Sequence, residues 1–238
     1  MRSVPAIFAV RMDNCSVQVN LERIARWSAL VPVERALRIA RFRHWEDQWR
    51  SLAGDMLLSF ILREKYRLPS HRMIFTQSAY GKPKLSGNDV HFNVSHSGVW
   101  AVAAFHSEAI GIDIEQIAIV DMELARSIFL SNEYEALCSQ PAYERDRMFY
   151  MIWTAKESYI KAIGKGLSIP LDSFSVAGTL GNVRNKPSEV VTEFGSTAYS
   201  TNWHLRQFEL DPDYMLTVCS TSTNWPTRLL VLDATQLN

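Results

Sequence analysis

Two long stretches of helical periodicity set the tightest limit on what this chain can fold into. Across residues 46–66 (EDQWRSLAGDMLLSFILREKY), Trp49, Leu52, Ala53, Met56, Leu57, Phe60 and Ile61 recur at three- and four-residue spacing. A second long helix is expected over 143–163, stopping at Gly164-Lys165-Gly166, where glycine supplies the left-handed residue that closes a helix. After a glycine-containing polar segment, each helix is followed by a pair of strands. The first pair is HFNVS and VWAVAAF around the turn His96-Ser97-Gly98. The second is WHLRQFEL and YMLTVCS around Asp211-Pro212-Asp213. Residues 4–10 and 111–115 read as further strands. Helices are expected from Glu22 to about Arg43, interrupted near Val31-Pro32, and over 121–140. This repeated order predicts an α+β fold of two similar lobes, dividing near residues 107–111.

Of the 238 residues, 47% are hydrophobic, enough to bury a substantial core. Lys+Arg and Asp+Glu both number 25, so the net charge is zero and a globally basic nucleic-acid binder is not expected. Cys15, Cys138 and Cys219 are far apart and odd in number. They form no CxxC pair, which argues against zinc or a disulfide framework and suits a reducing compartment. The N-terminal apolar run is broken by Arg11 and Asp13, and no stretch approaches a membrane span. A cytoplasmic protein without membrane association is expected.

Four constellations could carry chemistry. Asp113 and Glu115, two apart on a strand, share one face, where their mutual repulsion would be relieved by a hard cation. A solvated strand face is the plainer alternative. Glu157 and Lys161, four apart on a helix, also share a face. They form either a surface ion pair or a third carboxylate beside a cation that grips phosphate. Ser95 and His96, in the segment FNVSHSG, lack an acid placed to make a hydrolase triad. Their hydroxyl, imidazole and backbone N–H groups suit an anion-gripping turn or a structural one. Arg35, Arg38, Arg41, Arg43 and Arg50 crowd one segment, with Lys82 and Lys84 a weaker echo, as a local anion site or a solvated basic face. Together they suggest a magnesium site, phosphate-binding cations and no protein nucleophile, hence a phosphoanhydride attacked by an external group.

The motifs FNVSHSG (92–98), GIDIE (111–115) and WTAKESYIKAIGKGL (153–167) resemble those of surfactin-type (Sfp-type) 4'-phosphopantetheinyl transferases. ARF (40–42), LAGD (52–55), YGKP (80–83) and LDSFSV (171–176) support the likeness, which covers nearly the whole chain. The resemblance implies a monomer of two pseudo-twofold-related lobes, 1–109 and 110–238, each a small mainly antiparallel sheet packed on a long helix. Coenzyme A would lie between them. It implies that Asp113, Glu115 and Glu157 hold Mg2+, with Mn2+ an open alternative. Lys161 and His96 would contact phosphates, with Ser95 beside them. Arg35, Arg38 and Ser51 would surround the 3'-phosphate of coenzyme A, and Lys82 would join the coenzyme site. The implied reaction moves phosphopantetheine to a serine of an apo acyl or peptidyl carrier protein, with Glu157 as base and Lys161 stabilising the transition state. The alternatives are a magnesium-dependent nucleotide pyrophosphate hydrolase and a non-catalytic coenzyme A binding module. Apolar residues in 117–130, among them Ile117, Ile119, Val120, Met122, Leu124 and Phe129, are expected either to face the carrier or to pack in the core.

Overall fold

The computed structural model describes residues 4–12, 16–176, 188–189 and 203–237. The first lobe opens with β1 (Ala6–Arg11), α1 (Val17–Ser28), α2 (Val33–Ile39) and α3 (Trp45–Glu64). Helix α1 starts earlier than its apolar periodicity suggests, because the Ser16 hydroxyl accepts from the Val19 N–H and caps it. A small hairpin, β2 (Phe75–Gln77) and β3 (Pro83–Leu85), frames the Gly81-Lys82-Pro83 turn. Strands β4 (His91–Ser97) and β5 (Trp100–His106) follow. His96 and Ser97, expected in the turn, belong to β4. The connection is Gly98-Val99, and φ of +52° at Gly98 permits so tight a link.

The second lobe runs through β6 (Ile110–Gln116), α4 (Met122–Ile128), α5 (Ser131–Cys138) and α6 (Ala142–Ile163). It continues with β7 (Ser188–Glu189), β8 (His204–Gln207), β9 (Tyr214–Ser220) and β10 (Leu230–Leu232). The helix expected over 121–140 is two helices, parted at Phe129-Leu130. Gly164, at φ +77°, closes α6. Most of the polar stretch 178–200, together with Cys15, lies outside the described residues.

Each lobe has a four-stranded sheet, in the orders β10-β1-β5-β4 and β6-β9-β8-β7. Every pairing is antiparallel except that of β1 with β10. The last strand thus returns to the first lobe's sheet, and Ala234 and Leu237 pack into that lobe's core. Alternation along the strands builds three apolar layers. Phe8, Val10, Ala101, Ala103 and Phe105 face α3, where Trp27 stacks on Trp49 with ring centroids 4.6 Å apart. Ile7, Ala9, Val102 and Ala104 meet Ile110, Ile112, Ile114, Leu216 and Val218 between the sheets. Beneath the second sheet, Ile152, Ala155, Tyr159 and Ile160 of α6 pack with Leu205, Cys219 and the 171–176 segment. The order is helix, sheet, sheet, helix. Among the described residues, no helix is long and apolar enough to cross a membrane.

The tightest join in this stack is between α6 and β6. A Cβ placed on Gly111 would lie 2.0 Å from the Ser158 carbonyl oxygen and 2.4 Å from the Ala162 nitrogen. Both obstacles are backbone and cannot rotate away. Gly111→Ala is therefore expected to destabilise the protein by about 3 kcal/mol or more, the upper range for an overpacked core. Gly87→Ala meets nothing within 4 Å at φ +68° and should cost only the left-handed strain of about 1–2 kcal/mol. Urea denaturation of the two variants checks the contrast.

Candidate active site at the junction of two edge strands

Strands β4 and β6 are the facing edges of the two sheets. They are joined by side chains. Asn93, Ser95 and Ser97, alternate residues on one face of β4, take the places of backbone carbonyls. Asn93 Oδ1 accepts from the Ile112 N–H at 2.8 Å, and Ser97 Oγ from Gln116 at 3.0 Å; Ser95 Oγ receives a longer contact from Ile114 at 3.5 Å. The serine hydroxyls also donate to the carboxylates of the opposite strand. Ser95 Oγ lies 3.0 Å from Asp113 Oδ1, and Ser97 Oγ 2.8 Å from Glu115 Oε2.

Asp113 and Glu115 do share a face, as their spacing predicts, but it is no solvated one. They point toward α6, and Asp113 is only 2% exposed. Lys161 Nζ donates to Asp113 Oδ1 at 2.5 Å and to Ser95 Oγ at 3.1 Å. Burial raises the pKa of Asp113, with Lys161, Ser95 and the Ile114 N–H opposing it. Burial also raises Glu115 and then Glu157, and in both the nearby Asp113 charge adds to the rise. Glu157 therefore shares one electrostatic field with the pair on β6.

This field fits a cation. Asp113 Oδ2 is buried and has no hydrogen-bond partner. A buried carboxylate oxygen left unpaired is costly, and three carboxylates repelling one another are relieved by a divalent ion. The cage is not preassembled, however. Among the described residues no group of three or more His, Cys, Asp and Glu side chains stands at metal-binding spacing, and Asp113 is held by Lys161.

Cations line the other side. The His96 side chain projects from the face of β4 opposite Ser95. Desolvation lowers its pKa, and the positive charges of Lys161, Arg50 and Arg35 lower it further. These shifts favour the neutral ring at neutral pH. Arg35 grips Asp55 through Nε at 2.8 Å and Nη2 at 3.2 Å, and its Nη2 also donates to Ser51 Oγ at 2.7 Å. Arg38 acts on the same Asp55 carboxylate. Arg35, Arg38 and Ser51 are thus brought together around an acid, and the charge of Arg35 also reaches His96.

Comparison with known proteins decides what this constellation belongs to. The model of the 4'-phosphopantetheinyl transferase superfamily matches residues 109–219, and that of the 4'-phosphopantetheinyl transferase N-terminal region matches 20–108. The 4'-phosphopantetheinyl transferase ffp of Bacillus subtilis is 36% identical over 221 residues, 92% of this chain and 94% of its own. The transferase Sfp of Bacillus subtilis strain 168 is 34% identical over 232 residues, covering 97% and 99%. The L-aminoadipate-semialdehyde dehydrogenase-phosphopantetheinyl transferase of Xenopus laevis is 32% identical over 59% of this chain and 52% of its own. The chain is a 4'-phosphopantetheinyl transferase.

In this transferase, Ser95, Asp113, Glu115, Glu157 and Lys161 gather at the junction, the charges of Lys161 and Arg35 reach His96, and Arg35, Arg38 and Ser51 gather around Asp55. Lys82 stands apart. Its ammonium is buried against the end of α6, and burial pushes its pKa down to about 8. Asp55 escaped the sequence reading, since nothing local links it to Arg35 twenty residues away. So did the pair Lys156–Glu133, fully buried at 2.8 Å. Lys156 Nζ also donates to the carbonyls of Leu171 and Phe174, and Glu133 accepts from the Leu130 and Val176 N–H groups. Lys156 therefore ties the 171–176 segment beneath α6, one residue from Glu157. In the 117–130 segment, Phe129 is a core residue packed on Phe149 at 5.1 Å, and Met122 is partly buried. Ile119, 94% exposed, and Leu124 are the large apolar side chains of this segment that are exposed.

The side-chain zipper can be tested without a substrate. Ser95→Ala strips a buried carboxylate of its hydroxyl donor and should cost about 1–3 kcal/mol. Ser97→Ala, at a partly exposed position, should cost about 1 kcal/mol or less. Equal losses in chemical denaturation would show that burial of Asp113 does not set the strength of the join.

Proposed function

We propose that this transferase moves the 4'-phosphopantetheine arm of coenzyme A onto a serine of an apo carrier protein and releases adenosine 3',5'-bisphosphate. The supporting observation is the division of charge at the junction. Lys161 grips Asp113 beside Glu115 and Glu157, while the charges of Lys161, Arg50 and Arg35 converge on His96 at the other side. That arrangement suits a diphosphate bridged to a divalent cation. Its buried serines are both engaged, Ser95 with Asp113 and Lys161 and Ser51 with Arg35, which suits a nucleophile from outside. Asp113, Glu115 and Glu157 would hold Mg2+ or Mn2+, which when bound supplies charge neutralisation at the diphosphate.

The chain's own groups do the rest. Arg35, Arg38 and Ser51 bind the 3'-phosphate end. His96 takes a proton as the phosphates enter. Lys161 exchanges part of its hold on Asp113 for a phosphoryl oxygen and stabilises charge as the carrier's hydroxyl attacks the β-phosphorus. Glu157 accepts the hydroxyl proton; burial and the Asp113 charge raise its pKa and so its basicity. Residues 1–109, joined by the returning β10 and the residues after it, and the rest of the chain from residue 110 act as the two lips of the site within one monomer, a division that differs from a plain cut at 109/110. The carrier docks over the exposed Ile119 and Leu124.

Intact mass spectrometry of several apo carriers mixed with the protein, coenzyme A and Mg2+ tests the reading. A carrier gaining the whole arm is expected. Free phosphopantetheine with unmodified carriers would mark a pyrophosphate hydrolase, and binding without products a non-catalytic module. Metal binding has its own signature. All three carboxylates have pKa values raised in the folded state, so the fold holds their protons more tightly than the unfolded chain. Stability from these groups is full below the ordinary carboxylate range and is lost as pH rises through the raised values. A bound cation replaces those protons. The rise in Tm on adding Mg2+ should therefore be larger at about pH 7.5 than at about pH 5, and Asp113→Asn should abolish it. A rise of equal size at both pH values would place the ion elsewhere.

A further inference from the structure

Lys82 lies in the Gly-Lys-Pro turn between β2 and β3, where a role in coenzyme binding was expected, yet its ammonium is fully engaged elsewhere. Its Nζ donates to the carbonyls of Ile110 at 2.9 Å, Lys161 at 2.5 Å and Ala162 at 3.1 Å. An ammonium has three N–H donors, and all three are used. Lys161 and Ala162 are in the last turn of α6, whose carbonyls have no acceptor role left within the helix. Ile110 opens β6, the strand that carries Asp113. One side chain from the first lobe thus ties the end of the helix to the start of the strand in the second.

The path of the Lys82 stem is built as well. A Cβ on Gly164 would come within 2.8 Å of Lys82 Cδ, so the glycine that closes α6 also leaves the channel through which Lys82 passes. The turn that carries Lys82 is pinned from both sides. Its N–H donates to Ser78 Oγ at 3.0 Å, and its carbonyl accepts from the Ser78 N–H at 2.8 Å.

We propose that Lys82 is a positioning residue: it clamps the C-terminal turn of α6 onto β6 and, by holding the backbone carbonyl of Lys161, sets where the Lys161 ammonium stands relative to Asp113. This rests on the reading of Lys161 as the phosphate-side cation. A lysine that bound the coenzyme directly would keep at least one donor pointing into the cleft. Lys82 instead acts on the reacting groups through the helix end.

The wild-type protein provides the first test. In lysine-labelled protein the Lys82 15Nζ signal is expected to show slow proton exchange and to stay unmoved when adenosine 3',5'-bisphosphate is added. A shift of that signal on titration would make Lys82 a ligand and overturn the proposal. Lys82→Met supplies the second. Amide exchange in the last turn of α6 should accelerate about tenfold or more. Affinity for the bisphosphate, measured by calorimetry, should stay within about twofold, while kcat for carrier modification falls about tenfold or more with little change in the KM for coenzyme A. Added to Lys161→Ala, Lys82→Met should lower kcat little further, since both act through one ammonium. Unchanged exchange, or a loss confined to bisphosphate affinity, would refute the clamp. Should Lys82→Met not fold, the wild-type spectrum still decides. Should the wild type modify no carrier, the functional reading falls, while the exchange and NMR results still settle what Lys82 holds.

Discussion

The site depends on how closely α6 lies on β6. At Gly111 the helix backbone comes so near the strand that no side chain fits between them. That contact brings two different periodicities into step. Four residues of helix advance about 6 Å and two residues of strand about 6.6 Å. Lys161 and Glu157 therefore stand over Asp113 and Glu115 along nearly the same length, and the two elements run so that Lys161 meets Asp113 while the charge of Glu157 reaches Glu115. A wider separation would leave the carboxylates of β6 buried without a counter-charge.

The second constraint is the way the two sheets meet. Edge strands ordinarily pair through their backbones or are protected from pairing. Here the side chains of Asn93, Ser95 and Ser97 hydrogen-bond the N–H groups of β6, so the two edges are joined but held apart by the length of a side chain. The gap created in this way is lined by alternating functions. One face of β4 supplies the hydroxyls that orient Asp113 and Glu115, and the other carries His96 toward the arginines of the first lobe. A direct backbone ladder would have closed this space.

Much of this was legible locally. The two-residue spacing of Asp113 and Glu115 and the four-residue spacing of Glu157 and Lys161 each name a shared face, because strand and helix periods are properties of the backbone. The long helices α3 and α6 were legible for the same reason. The segment FNVSHSG looks like a polar turn in sequence, yet both its serines stand in β4. The alternation Asn93, Ser95, Ser97 is the signal that marks a strand face, and it was masked by the glycine that follows. Strand β10 could not be foreseen, since three apolar residues near a chain end carry no period and their partner β1 lies more than two hundred residues away in sequence. The sequence leaves Phe129 open between docking and core, because an apolar side chain in a connecting segment looks the same whether it packs on Phe149 or faces a partner.

The chain by itself determined which residue types are present and which of them share a face, since backbone geometry imposes those relations over a few residues. It also carried the motifs by which its family is known. Only the tertiary structure decided which faces meet. The engagement of Asp113 by Lys161, the capture of Arg35 by Asp55 and the diversion of Lys82 to the end of α6 all join positions far apart in the chain. Hydrogen bonds and ion pairs between such residues have no local signature. They form only because packed layers leave each buried polar group a short list of partners, and that list is written by the fold.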